Sequence, residues 1–300
     1  MMKKRIKRRL TMKKRWILAL VLLAALLAGG CSSGPADEAG TDLRIVSLMP
    51  SNTEILFALG LEEKIVGVTD YCNYPPALEE AKAEGRIASL GDSFNINEEA
   101  LIELEPTLVI LGHEGETATA LIERLEELNI KTEVIVPNTI EETLESILRL
   151  GELTGTKEKA EEIVQDMRAA IDRISGAAAK LDQDRKPRVV MLLDLDGLYV
   201  AGKGTLEDEL IAAAGGVNAV EVEGYNSISE EALISIDPDL ILCSFPFKER
   251  ILEEKTAWSN LKAVREEGIY DLNGDLINRP GPRLVQGLEL LYNLFHPEGE

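Results

Sequence analysis

Asn95–Ile110 reads NINEEALIELEPTLVI and Ser227–Leu242 reads SISEEALISIDPDLIL. Eight of the sixteen aligned positions are identical, among them Glu98/Glu230, Glu99/Glu231, Ala100/Ala232, Leu101/Leu233 and Pro106/Pro238. Each copy opens with polar residues suited to cap a helix, Asn95 or Asn97 in the first and Ser227 or Ser229 in the second. Two acids, a short apolar-periodic run, a proline and an apolar strand follow. A weaker match joins RIVSLM from Arg44 to RVVMLL from Arg188. Self-similarity at this separation predicts two related lobes, and the cleft between two lobes is a preferred ligand site.

Outward from the repeat, short apolar runs alternate with amphipathic ones. LRIVSLM (43–49), KIVGVT (64–69), TLVILG (107–112) and TEVIVP (132–137) read as strands, and NTEILFALG, EEALIELE, ALIERLEEL and IEETLESILRLGELTG as helices. In the second half RVVMLLDL, DLILCS and GIYDLNG read as strands, and LEDELIAAAG, EEALISI, ILEEKTAWSNLKAV and PRLVQGLELLYNLF as helices. Between the halves, Lys157–Leu181 carries apolar residues at 160, 163, 164, 167, 170, 171, 174, 178 and 181 without a proline. That stripe predicts one helix of ~37 Å. The expected architecture is α/β, with two lobes of mostly parallel central sheets flanked by helices and joined by one long bridging α-helix. The expected boundaries are an N-terminal lobe over 43–155, the bridging helix over 156–183 and a C-terminal lobe over 184–300. A single helical connector predicts small rocking in place of large closure.

The N-terminus predicts export. Nine basic residues lie between Lys3 and Arg15, followed by WILALVLLAALLA over Trp16–Ala28, which is too short for a stable span. Gly29-Gly30-Cys31 then resembles a bacterial lipobox, with Leu27 one place further from the cysteine than usual. Residues 1–30 are expected to be a lipoprotein signal peptide and 31–42 a flexible tether, with Cys31 diacylated on the extracytoplasmic face of the cell membrane. An ordinary signal cut nearby, leaving Cys31 a free thiol, is the alternative, and Met12 is a second candidate start. Without residues 1–30 the chain carries 23 Lys/Arg against 53 Asp/Glu, a formal −30. That excess argues against a nucleic-acid partner, whose phosphates need basic contacts. Cys72 and Cys243 fall in different halves and read as small buried hydrophobes, not as a disulfide.

RIVSLMPSNTEILFALGLEEKIVGVTDYCNYPP from Arg44, AGKGT from Ala201, SISEEAL and DLINRPGPRL from Asp275 resemble, in order and spacing, the solute-binding proteins of bacterial ABC importers. The subgroup is the one that takes cobalamin, haem and ferric siderophores, and cobalamin-binding members are most similar. The resemblance covers 43–297. It implies a non-enzymatic protein with no cofactor of its own, a corrinoid as the transported ligand (haem or a siderophore as alternatives), and a permease dimer as partner. It places Tyr71, Tyr199 and Tyr225 against the ligand and Asp275 and Arg279 as polar contacts. It implies permease docking through Glu99 and Glu231, one in each lobe. Where a cobalamin binder has a cleft tryptophan, this chain has Gly91 or a neighbour in SLGDSFN.

The residues themselves leave alternatives. Tyr71, Tyr199 and Tyr225 read as loop tyrosines, each offering a flat face with a polar tip, or as ordinary cover for the core edge. Asp275 with Arg279 reads equally as a local surface ion pair, and Glu99 with Glu231 as acids complementing helix dipoles. Arg283 reads as structural, Trp258 as core and His296 as solvated. His113, in LGHEG, is a candidate for the cleft and for a haem iron. With His113 and His296 as the only histidines, a multi-histidine metal site cannot be built. An exported enzyme finds little support. GLYVAGKG from Gly197 approaches a phosphate loop, but Gly204 stands where the hydroxyl residue belongs, and no carboxylate sits in an apolar phrase suggesting a raised pKa.

Overall fold

A computed structural model describes residues 43–92, 95–180 and 186–297. The signal segment, Cys31 and the tether lie outside the described residues, as do Ser93 and Phe94 of SLGDSFN. In the first half the elements are β1 (Ile45–Ser47), α1 (Pro50–Ala58), β2 (Ile65–Val68), α2 (Pro76–Ala83), β3 (Ala88–Ser89), α3 (Glu98–Glu103), β4 (Leu108–Leu111), α4 (Glu116–Glu127), β5 (Lys131–Val134) and α5 (Ile140–Thr154). Helix α6 (Lys157–Ala178) follows. The second half has β6 (Arg188–Asp194), β7 (Tyr199–Ala201), α7 (Leu206–Ala213), β8 (Val217–Asn218), β9 (Tyr225–Ser227), α8 (Glu230–Ile236), β10 (Leu240–Cys243), α9 (Lys248–Glu254), α10 (Lys262–Arg265), β11 (Ile269–Asp271), α11 (Gly274–Ile277) and α12 (Leu284–Phe295).

The first sheet is parallel throughout, in the order β3-β2-β1-β4-β5. The second runs β11-β10-β6-β7-β9, with β8 also on β6. Its β11, β10, β6 and β8 are parallel, and β7 is antiparallel to both β6 and β9. The central strands are mainly apolar, as strands covered on both faces are; Leu108, Val109, Ile110 and Leu111 of β4 are all buried. This is the expected α/β architecture. The continuous helix expected over 251–264 is instead α9, a 3₁₀ turn at Thr256–Asn260 and α10. Its break is at Lys255, whose φ −93° and ψ 61° are not helical. Trp258 is fully buried beside it, as expected.

The duplicated phrase folds into one unit used twice. Asn97 and Ser229 accept hydrogen bonds from Ala100 N and Ala232 N at 3.1 Å each, capping α3 and α8. Both helices end at a left-handed residue, Glu105 at φ 46° and Asp237 at φ 42°, at equivalent positions just before the matched prolines. The opening arginine of each half then closes the unit. Arg44 donates to Leu104 O at 2.9 Å, and Arg188 donates to Ile236 O at 3.2 Å, again equivalent positions. The backbone N–H of each arginine meets the residue after the proline, Thr107 Oγ1 at 3.0 Å and Asp239 Oδ2 at 2.7 Å. The side-chain bonds to Leu104 O and Ile236 O satisfy carbonyls that a helix C-terminus leaves without partners. The cap, the apolar positions, the turn and the arginine therefore have a structural reason to recur; Glu99 makes none of these bonds, and Glu231 reaches only its own helix N–H and the Ser229 hydroxyl.

Ala160, Val164, Met167, Ile174 and Ala178 form the buried stripe of α6. The first four belong to one hydrophobic cluster that includes Ile45 and Leu144 from the first half and Met191, Leu210 and Leu288 from the second. Shared burial ties the halves together. Polar links add to it: Glu209 in α7 accepts from Ile140 N, at the start of α5, at 2.7 Å, and Arg173 in α6 pairs with Glu289 in α12 at 2.7 Å.

Candidate functional site

In open α/β sheets ligands bind outside the carboxyl ends of the strands, where the strand order reverses. Here the reversals fall between β1 and β4 and between β6 and β10. The residues just beyond β4 and β10 are Gly112-His113 and Ser244-Phe245, which occupy equivalent places in the repeat. His113 is half-buried. Phe245 is 55% exposed, which is unusual for so large an apolar ring, and it packs on Phe247 with centroids 5.9 Å apart. Sequence reasoning passed over Phe245; extending the repeat two residues past Cys243 would have found it.

Tyr71, beyond the carboxyl end of β2, is 57% exposed and lies in a turn. Arg279 fixes that turn from the other half, donating to Asn73 Oδ1 at 2.8 Å and to Tyr71 O at 3.5 Å. The same guanidinium pairs with Glu54 at 3.0 Å and Asp275 at 2.9 Å. Arg283, at the N-cap of α12, donates to both oxygens of Glu54, at 2.7 and 2.6 Å, and stacks on the Tyr74 ring at 3.8 Å. Glu54 is only 4% exposed. Asp275 and Arg279 are thus not an isolated surface pair but part of a cluster built around a buried carboxylate. Arg283 is structural, as expected. A cavity of about 500 Å³ borders the cluster, lined by Glu54, Phe57, Tyr74, Pro75, Arg283 and Gln286 among others. Tyr71, His113, Tyr199, Tyr225 and Phe245 are not in its lining, so it is separate from the strand-end edge.

Tyr199 and Tyr225 are strand residues, contrary to the expectation of loops. Tyr199 begins β7 opposite Asp194 at the end of β6, and Tyr225 begins β9 opposite Ala201. Pairing of Tyr199 with Ser227 and Ala201 with Tyr225 puts both tyrosines on one face of the two-stranded ribbon. Both keep exposed rings. The Tyr225 hydroxyl donates to Glu207 Oε2 at 2.9 Å. Glu207, in the first turn of α7, is 2% exposed, and burial pushes its carboxyl above the ordinary glutamate range. This overturns the expectation that no carboxylate is so placed; the phrase around it, TLEDEL, is acidic and gives no sign of burial. Because the folded pKa is raised, the folded state binds the proton more tightly. Stability therefore falls as pH rises from the ordinary glutamate pKa, ~4.3, to the raised value, and is level above it. Glu207→Gln is expected to remove that fall: the stability of wild type relative to the variant, measured by urea denaturation, should be greater at pH ~4 than at pH ~8. An equal difference at both pH values would show that Glu207 does not titrate abnormally.

The turn after β7 explains the false phosphate-loop match. A side chain at Gly202 would put Cβ 2.0 Å from Val222 O, so the glycine serves backbone contact. The Lys203 amine donates to Asn218 O at 2.9 Å. His296, expected in solvent, is half-buried, with Nε2 2.9 Å from Ala214 O. Cys72 and Cys243 are free and buried, as expected; burial and Asp271 push the Cys243 thiol up to about 12.

Away from the strand ends, the paired acids of the repeat divide their roles identically. Glu98 pairs with Arg124 at 3.3 Å and Glu230 with Lys255 at 3.0 Å. Glu99 and Glu231 are exposed and make no ion pair among the described residues. The Glu231 carboxyl is held below its usual range by its own helix N–H and the Ser229 hydroxyl.

Two related α/β halves joined by a long helix, with exposed aromatics near the strand ends, form a solute-binding architecture. Residues 45–276 match the family model described as periplasmic binding protein, and the chain belongs to that family. It is 32% identical to an uncharacterised ABC transporter substrate-binding lipoprotein, YvrC, of Bacillus subtilis, over 96% of this chain and 99% of that one. It is 26% identical to the vitamin B12-binding protein of Salmonella typhimurium, over 94% and 98%. A periplasmic heme-binding protein of Pseudomonas aeruginosa superposes with a TM-score of 0.74 at 28% identity, over 86% and 94%. The protein is an extracytoplasmic solute-binding component of an ABC importer in the group that takes vitamin B12, haem and siderophores. Among the described residues no helix is long and apolar enough to cross a membrane.

Proposed function

We propose that the protein binds a corrinoid, cobalamin in the first instance, between its halves and hands it to an ABC permease dimer. The observation that carries this reading is the set of exposed rings: Tyr71, beyond β2 in the first half, and Tyr199 and Phe245 at the carboxyl edge of the second, with Tyr225 on the same ribbon face as Tyr199. Rings on both sides suit a large planar macrocycle. Asp275, beside Arg279, adds an acceptor for ligand amides, while Arg279 holds the Tyr71 turn. The likeness to a vitamin B12-binding protein over nearly the whole chain favours the same ligand. A second reading, haem, is favoured by the position of His113 just beyond β4 and by the heme-binding neighbour. Calorimetric titration of the protein with cyanocobalamin, haemin and a ferric siderophore separates them. Heat with cyanocobalamin at micromolar protein is expected; none, with clear heat from haemin, would transfer the site to haem and make His113 the first candidate iron ligand.

Attachment to the outer face of the cell membrane is proposed to run through diacylated Cys31, in line with the lipoprotein relative. Two acyl chains give stable anchoring where one is marginal. Cys31→Ala should move the protein from the membrane fraction to the soluble fraction, read by fractionation and blotting. Full retention in the membrane fraction would point to another anchor.

A further inference from the structure

Tyr225 is 38% exposed, and its hydroxyl is turned to a protein partner, donating to Glu207. Its oxygen lies 2.9 Å from Oε2 of Glu207, a carboxylate in the first turn of α7 that is 2% exposed. Thr205 caps the same helix end, donating its hydroxyl to Gly202 O and accepting from Asp208 N, so the acceptor sits on a fixed element. Tyr225 begins β9, whose pairing with β7 fixes its backbone as well. The ring is thus held at both ends, by strand pairing at Cα and by a buried carboxylate at the oxygen.

We propose that Glu207 is a positioning residue that draws the Tyr225 hydroxyl inward, so that Tyr225 offers its ring, and not its oxygen, to the bound macrocycle. This rests on the reading of the strand-end edge as the ligand site. The chemistry recognised at this position is the apolar face or edge of a planar ring system; neither a ligand hydrogen bond nor an iron–phenolate bond is made there. The groups facing the phenol agree. Burial, the Glu207 carboxylate and the neighbouring Tyr199 all disfavour its ionisation, opposed only by the Leu206 backbone. A phenol that stays neutral is a poor ligand for ferric iron, which binds the phenolate. If the protein takes haem, its iron ligand lies elsewhere.

The test uses the full chain in detergent and four variants, Tyr225→Phe, Tyr225→Ala, Glu207→Ala and Glu207→Gln, titrated with cyanocobalamin and with haemin. Tyr225→Phe keeps the ring but loses its tether, so it should lose about three- to tenfold, as Glu207→Ala does, whereas Tyr225→Ala should lose more than about tenfold. Glu207→Ala frees the ring and should lose about three- to tenfold. Glu207→Gln, whose amide oxygen still accepts from the phenol, should restore the affinity, a rescue that a purely packing role for Glu207→Ala would share only if Tyr225 were unaffected. The second readout decides that point. In near-ultraviolet difference titration against Tyr225→Phe, the Tyr225 phenol should resist ionisation in wild type and ionise at lower pH in Glu207→Ala. Tyr225→Phe binding as weakly as Tyr225→Ala overturns the proposal, as does a ferric-tyrosinate band with haemin that Tyr225→Phe abolishes. Unchanged affinity and unchanged tyrosine titration in Glu207→Ala also overturn it. If wild type takes neither ligand, the functional reading fails, and the tyrosine titration alone decides whether Glu207 holds Tyr225.

Discussion

Glu54→Ala is expected to destabilise the protein by about 3–5 kcal/mol, the usual cost of removing one partner from a buried ion pair. The wild-type carboxylate is shared by Arg279 and Arg283, both mostly buried. Its loss leaves two guanidinium groups facing each other, with only the half-exposed Asp275 nearby. Arg283→Ala should cost less, because Glu54 keeps Arg279 at 3.0 Å. Urea denaturation of wild type and both variants measures the order. A loss below about 1 kcal/mol in Glu54→Ala would mean that the cluster contributes no more than a surface pair. The effect reaches the ligand edge as well, since the same Arg279 holds the turn that carries Tyr71.

Combined replacement of Glu99 and Glu231 by alanine is expected to abolish uptake while leaving ligand affinity unchanged. Neither acid is needed for the fold of its repeat: the caps are Asn97 and Ser229, and the ion pairs are made by Glu98 and Glu230. What remains is a helix-dipole contribution of ~0.3–1 kcal/mol each, with hydrogen bonds from its own N–H and the Ser229 hydroxyl added at Glu231. Two equivalent acids, one on each half, match a permease of two identical subunits. Binding to the permease and ligand uptake in cells are the measurements, with each single variant expected to lie between wild type and the double. Normal docking and uptake by the double variant would leave them as helix-terminal acids.

The elements that were readable from sequence are those buried on both faces or strongly periodic. RVVMLLD and LILC announce β6 and β10 through continuous apolar runs, and α6 through its stripe. β7 and β9 escaped because each has three residues, and Tyr-Asn-Ser in β9 is exposed throughout. β3 escaped because two residues carry no period. The break at Lys255 has no glycine or proline to mark it. Among site residues, the three tyrosines were named through the family resemblance, and Phe245 was missed because the repeat was read only to Leu242, three residues short of it. Glu54 and Glu207 were illegible in principle. Their burial depends on Arg283, 229 positions away in sequence for Glu54, and on a tyrosine reached through strand pairing for Glu207. Local phrases carry no record of such partners.

The shared core around α6 and the Glu54 cluster tie the two halves together, and only small rocking is expected between them. If Glu99 and Glu231 are the points of attachment, their spacing changes little whether the cleft is filled or empty. The permease then cannot tell a loaded carrier from an empty one by span, and both compete for the same seat. Uptake should pass through a maximum as carrier is added at limiting ligand, and decline once empty copies crowd out filled ones.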